Sequence, residues 1–335
     1  MIATRGTGLR TGGAGRWEIT LLSFSLVFLL AAPAPAVADS PATRAKVTFA
    51  LDWFPSPSNA AAYIAQAKGY YADAGLDVTV QPGSSQALSI QLVASGQAQF
   101  GLETAGEILE ARAHGIPVIA LAATLQRSPA ALFFHKGQAI RDYGDLNGRT
   151  VYTQITTPEW QYQKTKYHLD KIVDLQFRGS YAAFAADPRA VAQGYLTSTG
   201  DELATQGIET ETIASAEDIG YGSVLFTTDE LIARHPDLVR DFVRATAAGW
   251  SYYRSHPEES SRLLLPHTSG RSEADLIRES ERQAEFIWTG DALTHGFGWM
   301  TTERWQKTID QLVLEHAIDS VPAATVFTTQ FLAQP

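Results

Sequence analysis

The sequence predicts an α/β protein with two lobes, each built on a mainly parallel sheet flanked by helices, and a cleft between the lobes. Up to about residue 228, short apolar segments alternate with amphipathic ones, which is the rhythm of β-α-β units. The length of 335 residues is one that commonly divides into two domains. Because the chain has no cysteine, disulfides cannot stabilise it and it must bury a sizeable core.

Residues 46–135 contain five strand candidates, which are short apolar runs, and three helix candidates. Each helix is followed by a glycine that can adopt the left-handed conformation typical of a helix C-terminus, at Gly75, Gly96 or Gly115. Strands joined through helices pair in parallel by right-handed crossovers. The strands are 46–51, 76–81, 98–102, 117–123 and 130–135, and the helices are 58–72, 84–95 and 104–114.

A second set of elements follows the segment 135–148, and the segment 217–222 returns the chain to the first lobe. Two such crossings predict that residues 39–136 and 223–335 form lobe 1 and that residues 137–222 form lobe 2. The strands of the second set are 149–153, 173–178, 191–197 and 209–213, with a helix at 158–170. A strand at 223–228 then precedes helices at 236–255, 257–265, 272–288 and 301–316.

The N-terminal segment predicts export. Three arginines precede an apolar run at 19–32, and a small-residue site follows at 36–38, so residues 1–38 are expected to be a Sec-type signal peptide. A membrane anchor is the alternative, but the run is shorter than the roughly 20 residues that a span needs. A lipid anchor requires a cysteine at the cleavage site, and the chain has none. We therefore expect a soluble periplasmic protein.

Composition and motifs exclude several classes of function. The net charge is −10, and no basic stripe is present, which argues against a nucleic-acid partner. The eight histidines lack metal-ligand spacing, and no Walker, G-x-S-x-G or H-E-x-x-H motif occurs. We therefore expect no metal, no cofactor and no enzymatic activity.

One stretch indicates a ligand site. In "VTFALDWFPSPSN" (47–59), a strand ends at an acid and an indole, Asp52 and Trp53, which two prolines follow. Open α/β sheets bind ligands beyond the carboxyl ends of their strands, and an indole can stack on a flat ring. The alternative is that Trp53 only packs on the core.

The stretch "LDWFPSPSNAAAYIAQAKGYYADAGLDVTVQPG" resembles the opening of the NMT1/THI5-like family of ABC-transporter substrate-binding proteins, which bind formylaminopyrimidine, hydroxymethylpyrimidine and relatives. The similarity continues through "LVASGQAQFGLETAGEILEARAHGIPVIALAA" and "MTTERWQKTIDQLV". It implies a type II periplasmic-binding-protein fold. It also implies a monomer that carries a small molecule to an inner-membrane ABC permease and its ATPase.

The resemblance also implies roles for individual residues. In the pyrimidine-binding members the acid of the D-W pair accepts from the amine and the indole stacks, which are Asp52 and Trp53 here. Tyr195 and Tyr221 fall where the tyrosines of that pocket are expected. Thr199 stands near the position of a family glutamate. The other candidates, at strand ends and helix starts, are Asn59, Tyr63, Glu103, Thr104, Glu107, Glu159 and Trp160.

Two alternatives to a thiamine-precursor pyrimidine or a similar flat N-heterocycle remain open. A sulfonate, taurine or nitrate carrier would need free N–H groups, Ser/Thr and an arginine, and "QITTPEW" offers some of these. The fungal branch of the family is a pyrimidine synthase with an active-site histidine and a cysteine run. Here Asn59 stands at the histidine position and cysteine is absent, so an enzyme is the least favoured interpretation.

Overall fold

Ten β-strands form two five-stranded sheets in the part of the chain that the structure describes. The computed structural model describes residues 44–84, 88–214 and 220–333, so the predicted signal segment 1–38 lies outside the described residues. The strands are β1 Ala45–Ala50, β2 Leu76–Gln81, β3 Phe100–Glu103, β4 Val118–Leu125, β5 Ala130–His135, β6 Thr150–Thr153, β7 Val173–Gln176, β8 Val191–Tyr195, β9 Thr210–Ala214 and β10 Ser223–Thr228.

Each sheet contains one antiparallel strand, and that strand comes directly from the other sheet. The first sheet has the order β2-β1-β3-β10-β4, with β10 antiparallel to both neighbours. The second has the order β7-β6-β8-β5-β9, with β5 antiparallel to both neighbours. The other pairs, β1 with β2 and β3, and β6 with β7 and β8, are parallel as predicted. The fold is therefore α/β with two mixed sheets.

The placement of β5 corrects one expectation. We assigned strand 130–135 to the first lobe, but Leu132 pairs with Gln193 and Ile213 in the second sheet. The chain therefore first crosses between β4 and β5, before the segment 135–148 that we had taken as the linker. An apolar run is compatible with either sheet, because its pattern does not identify the strand that it pairs with.

Thirteen α-helices flank the sheets within the described residues. The predicted helix 58–72 is divided at Gly69, which has a positive φ of 77°. The α-helices are α1 Ala60–Ala67, α2 Tyr70–Asp73, α3 Ser89–Ala94, α4 Ala105–Ala113, α5 Pro158–Lys166, α6 Ala182–Ala186, α7 Thr199–Thr205, α8 Asp229–Arg234, α9 Pro236–Ser255, α10 Pro257–Leu264, α11 Glu273–Ile287, α12 Asp291–His295 and α13 Thr302–Leu314.

The C-terminal helices cover the first sheet, as predicted. Phe242 of α9 stacks on Phe100 of β3 at a ring-centroid distance of 3.8 Å and also contacts Phe49 of β1. Full burial of such a side chain contributes about 1.5–3 kcal/mol. The helices therefore bury one face of the first sheet, and the loops at its strand ends start from a packed core. Among the described residues, no helix combines the length and the apolar character that crossing a membrane requires.

Candidate functional site

A cavity of about 620 Å³ is lined by residues from both sheets. Asp52 follows β1 and Glu103 ends β3, while Gln154 follows β6, Gln176 ends β7 and Tyr195 ends β8. The parallel strands of both sheets therefore point their carboxyl ends at one cavity. This is the location at which open α/β sheets bind ligands.

The turn after β1 is held rigidly by hydrogen bonds. The buried Asn59 donates from Nδ2 to the carbonyl oxygen of Phe54 at 3.1 Å, and its Oδ1 accepts from the N–H of Ser56 at 3.0 Å. Gly83 donates its N–H to the carbonyl oxygen of Trp53 at 3.0 Å, and a Cβ at Gly83 would lie 2.5 Å from the backbone of this turn. The sequence therefore fixes the direction of Asp52 and Trp53 through backbone contacts.

Trp53 packs on one side and remains partly exposed. Its ring meets that of Phe54 edge-on at 5.4 Å. It also packs against the apolar cluster of the second sheet that contains Phe177 and Tyr181. Because Trp53 lines the cavity as well, the side chain can support the junction of the two sheets and still present surface to a ligand.

Acidic side chains dominate the polar part of the cavity. Five carboxyl groups line it, those of Asp52, Glu103, Glu107, Glu110 and Glu159. Burial raises the pKa of Asp52 to about 6, and the charge of Glu107 adds to the rise. Burial and the same neighbour raise the pKa of Glu159 to about 7. Among the described lining residues there is no lysine or arginine, and the one histidine is His114.

Glu103 and Glu107 form a coupled pair. Glu103 accepts from the hydroxyl of Ser89 at 2.7 Å and from the N–H of Thr104 at 3.2 Å. Burial and the charge of Glu103 raise the pKa of Glu107 well above its usual value. The two carboxyl groups therefore titrate as a coupled pair, in which the charge of one disfavours ionisation of the other.

The N-terminus of α4 faces the cavity, but its N–H groups already have partners. A free helix N-terminus is a favourable site for an anion. Here the first turn is capped by side chains and by the backbone of the return crossing, which leaves no N–H group of that turn for an anionic ligand. The N–H of Thr104 donates to Glu103, that of Ala105 to the carbonyl oxygen of Tyr221, that of Gly106 to Glu159, and that of Glu107 to the hydroxyl of Thr104.

The two predicted tyrosines differ in what they offer. Tyr195 lines the cavity, and burial followed by the charge of Asp52 raises the pKa of its phenol. Tyr221 also touches the cavity but is only 1% exposed. Its hydroxyl donates to Asp291 at 2.6 Å and accepts from the N–H of Thr301 at 2.8 Å. The hydroxyl of Tyr221 is therefore engaged within the fold, to Asp291 and Thr301, and Tyr221 offers a ligand little more than the edge of its ring.

Four predicted site residues lie outside the cavity. Asn59 holds the turn described above, and the buried Tyr63 packs its ring 4.4 Å from that of the exposed His267. Trp160 is buried and donates to Asp174. Thr199 is buried, and its hydroxyl accepts from the N–H of Tyr195 at 2.9 Å. The predicted residues that do line the cavity are Asp52, Trp53, Glu103, Thr104, Glu107, Glu159, Tyr195 and Tyr221.

Three glutamines of the second sheet were missed. Gln154, Gln176 and Gln193 line the cavity, and the N–H of Gln154 donates to Oε1 of Gln193 at 2.9 Å. Gln154 and Gln176 stand at the carboxyl ends of their strands, so the rule that selected Asp52 would also have selected them. Their amide groups add neutral donors and acceptors beside the five carboxyl groups.

Comparison with known proteins gives consistent matches. The family profile described as NMT1/THI5 like matches residues 56–260. The chain is 27% identical over 322 residues to the riboflavin-binding protein RibY of Chloroflexus aurantiacus, across 90% of this chain and 89% of that protein. It is 25% identical over 314 residues to the formylaminopyrimidine-binding protein of Halalkalibacterium halodurans, across 88% and 93% of the two chains.

Two further matches concern the fold and the synthase branch. The alkanesulfonate-binding protein SsuA from Xanthomonas axonopodis pv. citri superposes with a TM-score of 0.66 at 14% identity, across 87% of this chain and 100% of that one. This likeness confirms the predicted periplasmic-binding-protein fold. The 4-amino-5-hydroxymethyl-2-methylpyrimidine phosphate synthase THI11 of Saccharomyces cerevisiae is 32% identical over 107 residues only, which is 32% of each chain.

Proposed function

The chain belongs to the NMT1/THI5-like family, whose profile covers more than half of it, and we propose that it is the substrate-binding component of an ABC importer. Its ligand is a thiamine-precursor pyrimidine or a similar flat N-heterocycle. It carries that ligand as a monomer through the periplasm to an inner-membrane permease and its ATPase. Two relatives that match 90% and 88% of the chain are named as binding proteins, whereas two synthases match 64% and 66% of it, and this difference supports transport over catalysis.

The choice of ligand rests on the charge of the cavity. Five carboxyl groups face it without a lysine or arginine among the described lining residues, and the N–H groups of the α4 N-terminus are already used. A sulfonate or nitrate would meet these acids, and at the N-terminus of α4 it would find the N–H groups already used. A neutral or cationic heterocycle with N–H donors instead supplies hydrogen-bond donors to these carboxylates. Asp52 accepts from its amine, and Trp53 and Tyr195 pack on its ring.

A catalytic role is not part of the proposal. In the synthase branch the position of Asn59 is taken by the active-site histidine, whereas here both ends of the Asn59 amide are engaged in holding the turn. No chemical step is needed to explain the cavity. A cleft between two sheet-based halves that closes on a ligand is sufficient for a transport protein.

The test is ligand-induced stabilisation of the chain from Asp39 to Pro335. Thermal melting is measured with 4-amino-5-hydroxymethyl-2-methylpyrimidine, formylaminopyrimidine, riboflavin, taurine and nitrate, and calorimetry follows for any ligand that acts. A bound heterocycle at a hundredfold excess over Kd stabilises by about 2.7 kcal/mol, and mass spectrometry must recover it unchanged. Stabilisation by taurine or nitrate alone would refute the proposed ligand class, and a chemically altered heterocycle would refute the non-enzymatic role.

A further inference from the structure

The acidic side chains of the cavity differ in how far their oxygen atoms are already used. Glu103 accepts hydrogen bonds on both oxygens, from Ser89 and from the N–H of Thr104, and Glu107 accepts from the hydroxyl of Thr104. Both groups therefore already have hydrogen-bond partners within the first sheet and α4. They have little capacity left for a ligand.

Asp52 and Glu159 have unused acceptors. Oδ1 of Asp52 and Oε2 of Glu159 are buried and accept no hydrogen bond from any described residue. Both side chains line the cavity, Asp52 from the first sheet and Glu159 from the helix that follows β6 of the second. A buried carboxylate oxygen without a partner is costly, so each is an acceptor that a ligand donor would satisfy.

Glu159 is fixed in its orientation by a contact across the cleft. Its Oε1 accepts from the N–H of Gly106, the second residue of α4, at 3.1 Å. A Cβ at Gly106 would collide with this carboxylate, so glycine is required for the approach. Because Oε1 is held by the first half of the cavity, only Oε2 remains for a ligand. The groups that face Glu159 are Glu107, Thr104 and the N–H of Gly106.

On the premise of the proposed function, we infer that Glu159 is a specificity-determining residue that accepts a second ligand donor, separate from the amine that Asp52 accepts. The ligand must then carry two donor groups, one for each half of the cavity. Since Glu159 also bonds to α4, it links recognition of the second donor to the closed arrangement of the two halves. Anions and heterocycles with a single donor are rejected.

The isosteric variant Glu159→Gln gives a sharp test. With Oε1 of the amide still accepting from Gly106, Nε2 would point where Oε2 was, so a donor would meet the ligand donor. The probes are 4-amino-5-hydroxymethyl-2-methylpyrimidine and 4-amino-2,5-dimethylpyrimidine, which lacks only the hydroxyl donor. We expect calorimetry to show that the substitution lowers the affinity for the first probe by roughly 10- to 100-fold. The affinity for the second probe should be almost the same in the variant as in the wild type. Glu209→Gln, an exposed residue paired with Lys136, is the control for a lost charge.

The outcomes separate the two proposals. One outcome is that the wild type binds the hydroxymethyl probe and that the affinity of Glu159→Gln for this probe is within threefold of the wild-type value. That outcome would overturn the role of Glu159 and leave the proposed function standing. An equal loss for both probes would also overturn it, since Glu159 would then act only through closure. If the wild type binds neither pyrimidine but is stabilised by taurine or nitrate, both proposals fail. Melting curves of each variant establish that it is folded, and we expect Glu159→Gln to melt no earlier than the wild type.

Discussion

Replacing Asp52 by Asn should stabilise the ligand-free protein at pH 7.5. The pKa of Asp52 is raised from 3.8 to about 6 by burial and by the charge of Glu107. A raised pKa means that the folded state holds the proton more tightly than the unfolded state, so folding stability falls as the pH rises from about 4 to 6. A difference of about two units corresponds to about 3 kcal/mol at pH values above 6. The amide carries no charge and escapes this cost.

The assay is urea unfolding of both proteins without ligand at pH 4.5 and pH 7.5. We expect the variant to gain up to about 3 kcal/mol over the wild type at pH 7.5 and much less at pH 4.5, because there Asp52 is protonated in the fold. The control is Asp145→Asn, since hydrogen bonding from the N–H of Arg141 lowers the pKa of the exposed Asp145. That substitution should bring no gain at pH 7.5.

The same variant should lose affinity for an aminopyrimidine, because the amine then meets an amide in place of a carboxylate. Stability and binding would thus change in opposite directions. An Asp52→Asn protein that is less stable than the wild type at pH 7.5, or one whose stability difference does not depend on pH, would refute the reasoning. Either result would mean that the carboxylate is satisfied within the fold.

Three further predictions follow from the geometry. Trp53→Ala should lower ligand affinity by about 2 kcal/mol or more. It should cost less stability than Trp305→Ala, which removes a fully buried indole at a cost of about 3–5 kcal/mol. A Trp53→Ala protein that melts early but shows normal binding in calorimetry would contradict this. Gly106→Ala should weaken ligand binding because its Cβ displaces the Glu159 carboxylate, whereas Gly200→Ala, with the nearest atom at 3.9 Å, should bind normally. N-terminal sequencing of protein from a periplasmic extract should start at Asp39 or within a few residues, and full-length chain in the membrane fraction would exclude the signal peptide.

The features that the sequence predicted well are local ones. The alternation of apolar and polar residues located nearly every strand, and the strand-end rule placed Asp52, Glu103 and Tyr195 at the cavity. These predictions succeed because a residue directly after a parallel strand has a direction that the sheet itself determines. The family and the fold were predicted correctly from the motifs for a related reason, since the "LDWFPSPSN" turn is a local structure with its own hydrogen bonds.

The features that failed depend on contacts between distant parts of the chain. The exchange of β5 into the second sheet is fixed by its pairing with Gln193 and Ile213, more than 60 residues away. Trp160 stands one residue from a cavity acid, yet its indole is directed into the core, where it donates to Asp174. The hydroxyl of Tyr221 is withdrawn by Asp291, a residue of α12 that no local pattern connects to it.

The acids of the cavity provide a physical reason for ligand-dependent closure. Burial raises the pKa of Asp52 to about 6 and that of Glu159 to about 7, so ionising either group costs free energy in the folded protein. The contact of Glu159 with Gly106 joins the two halves of the cavity, so this cost rises when the halves approach and exclude water. Under the proposed function, opening of the cleft would lower this cost by hydration, and a ligand with two donors would lower it in a closed state. Such a ligand would therefore shift the equilibrium towards closure through its differential interaction with the two states, and an anion of similar size would not.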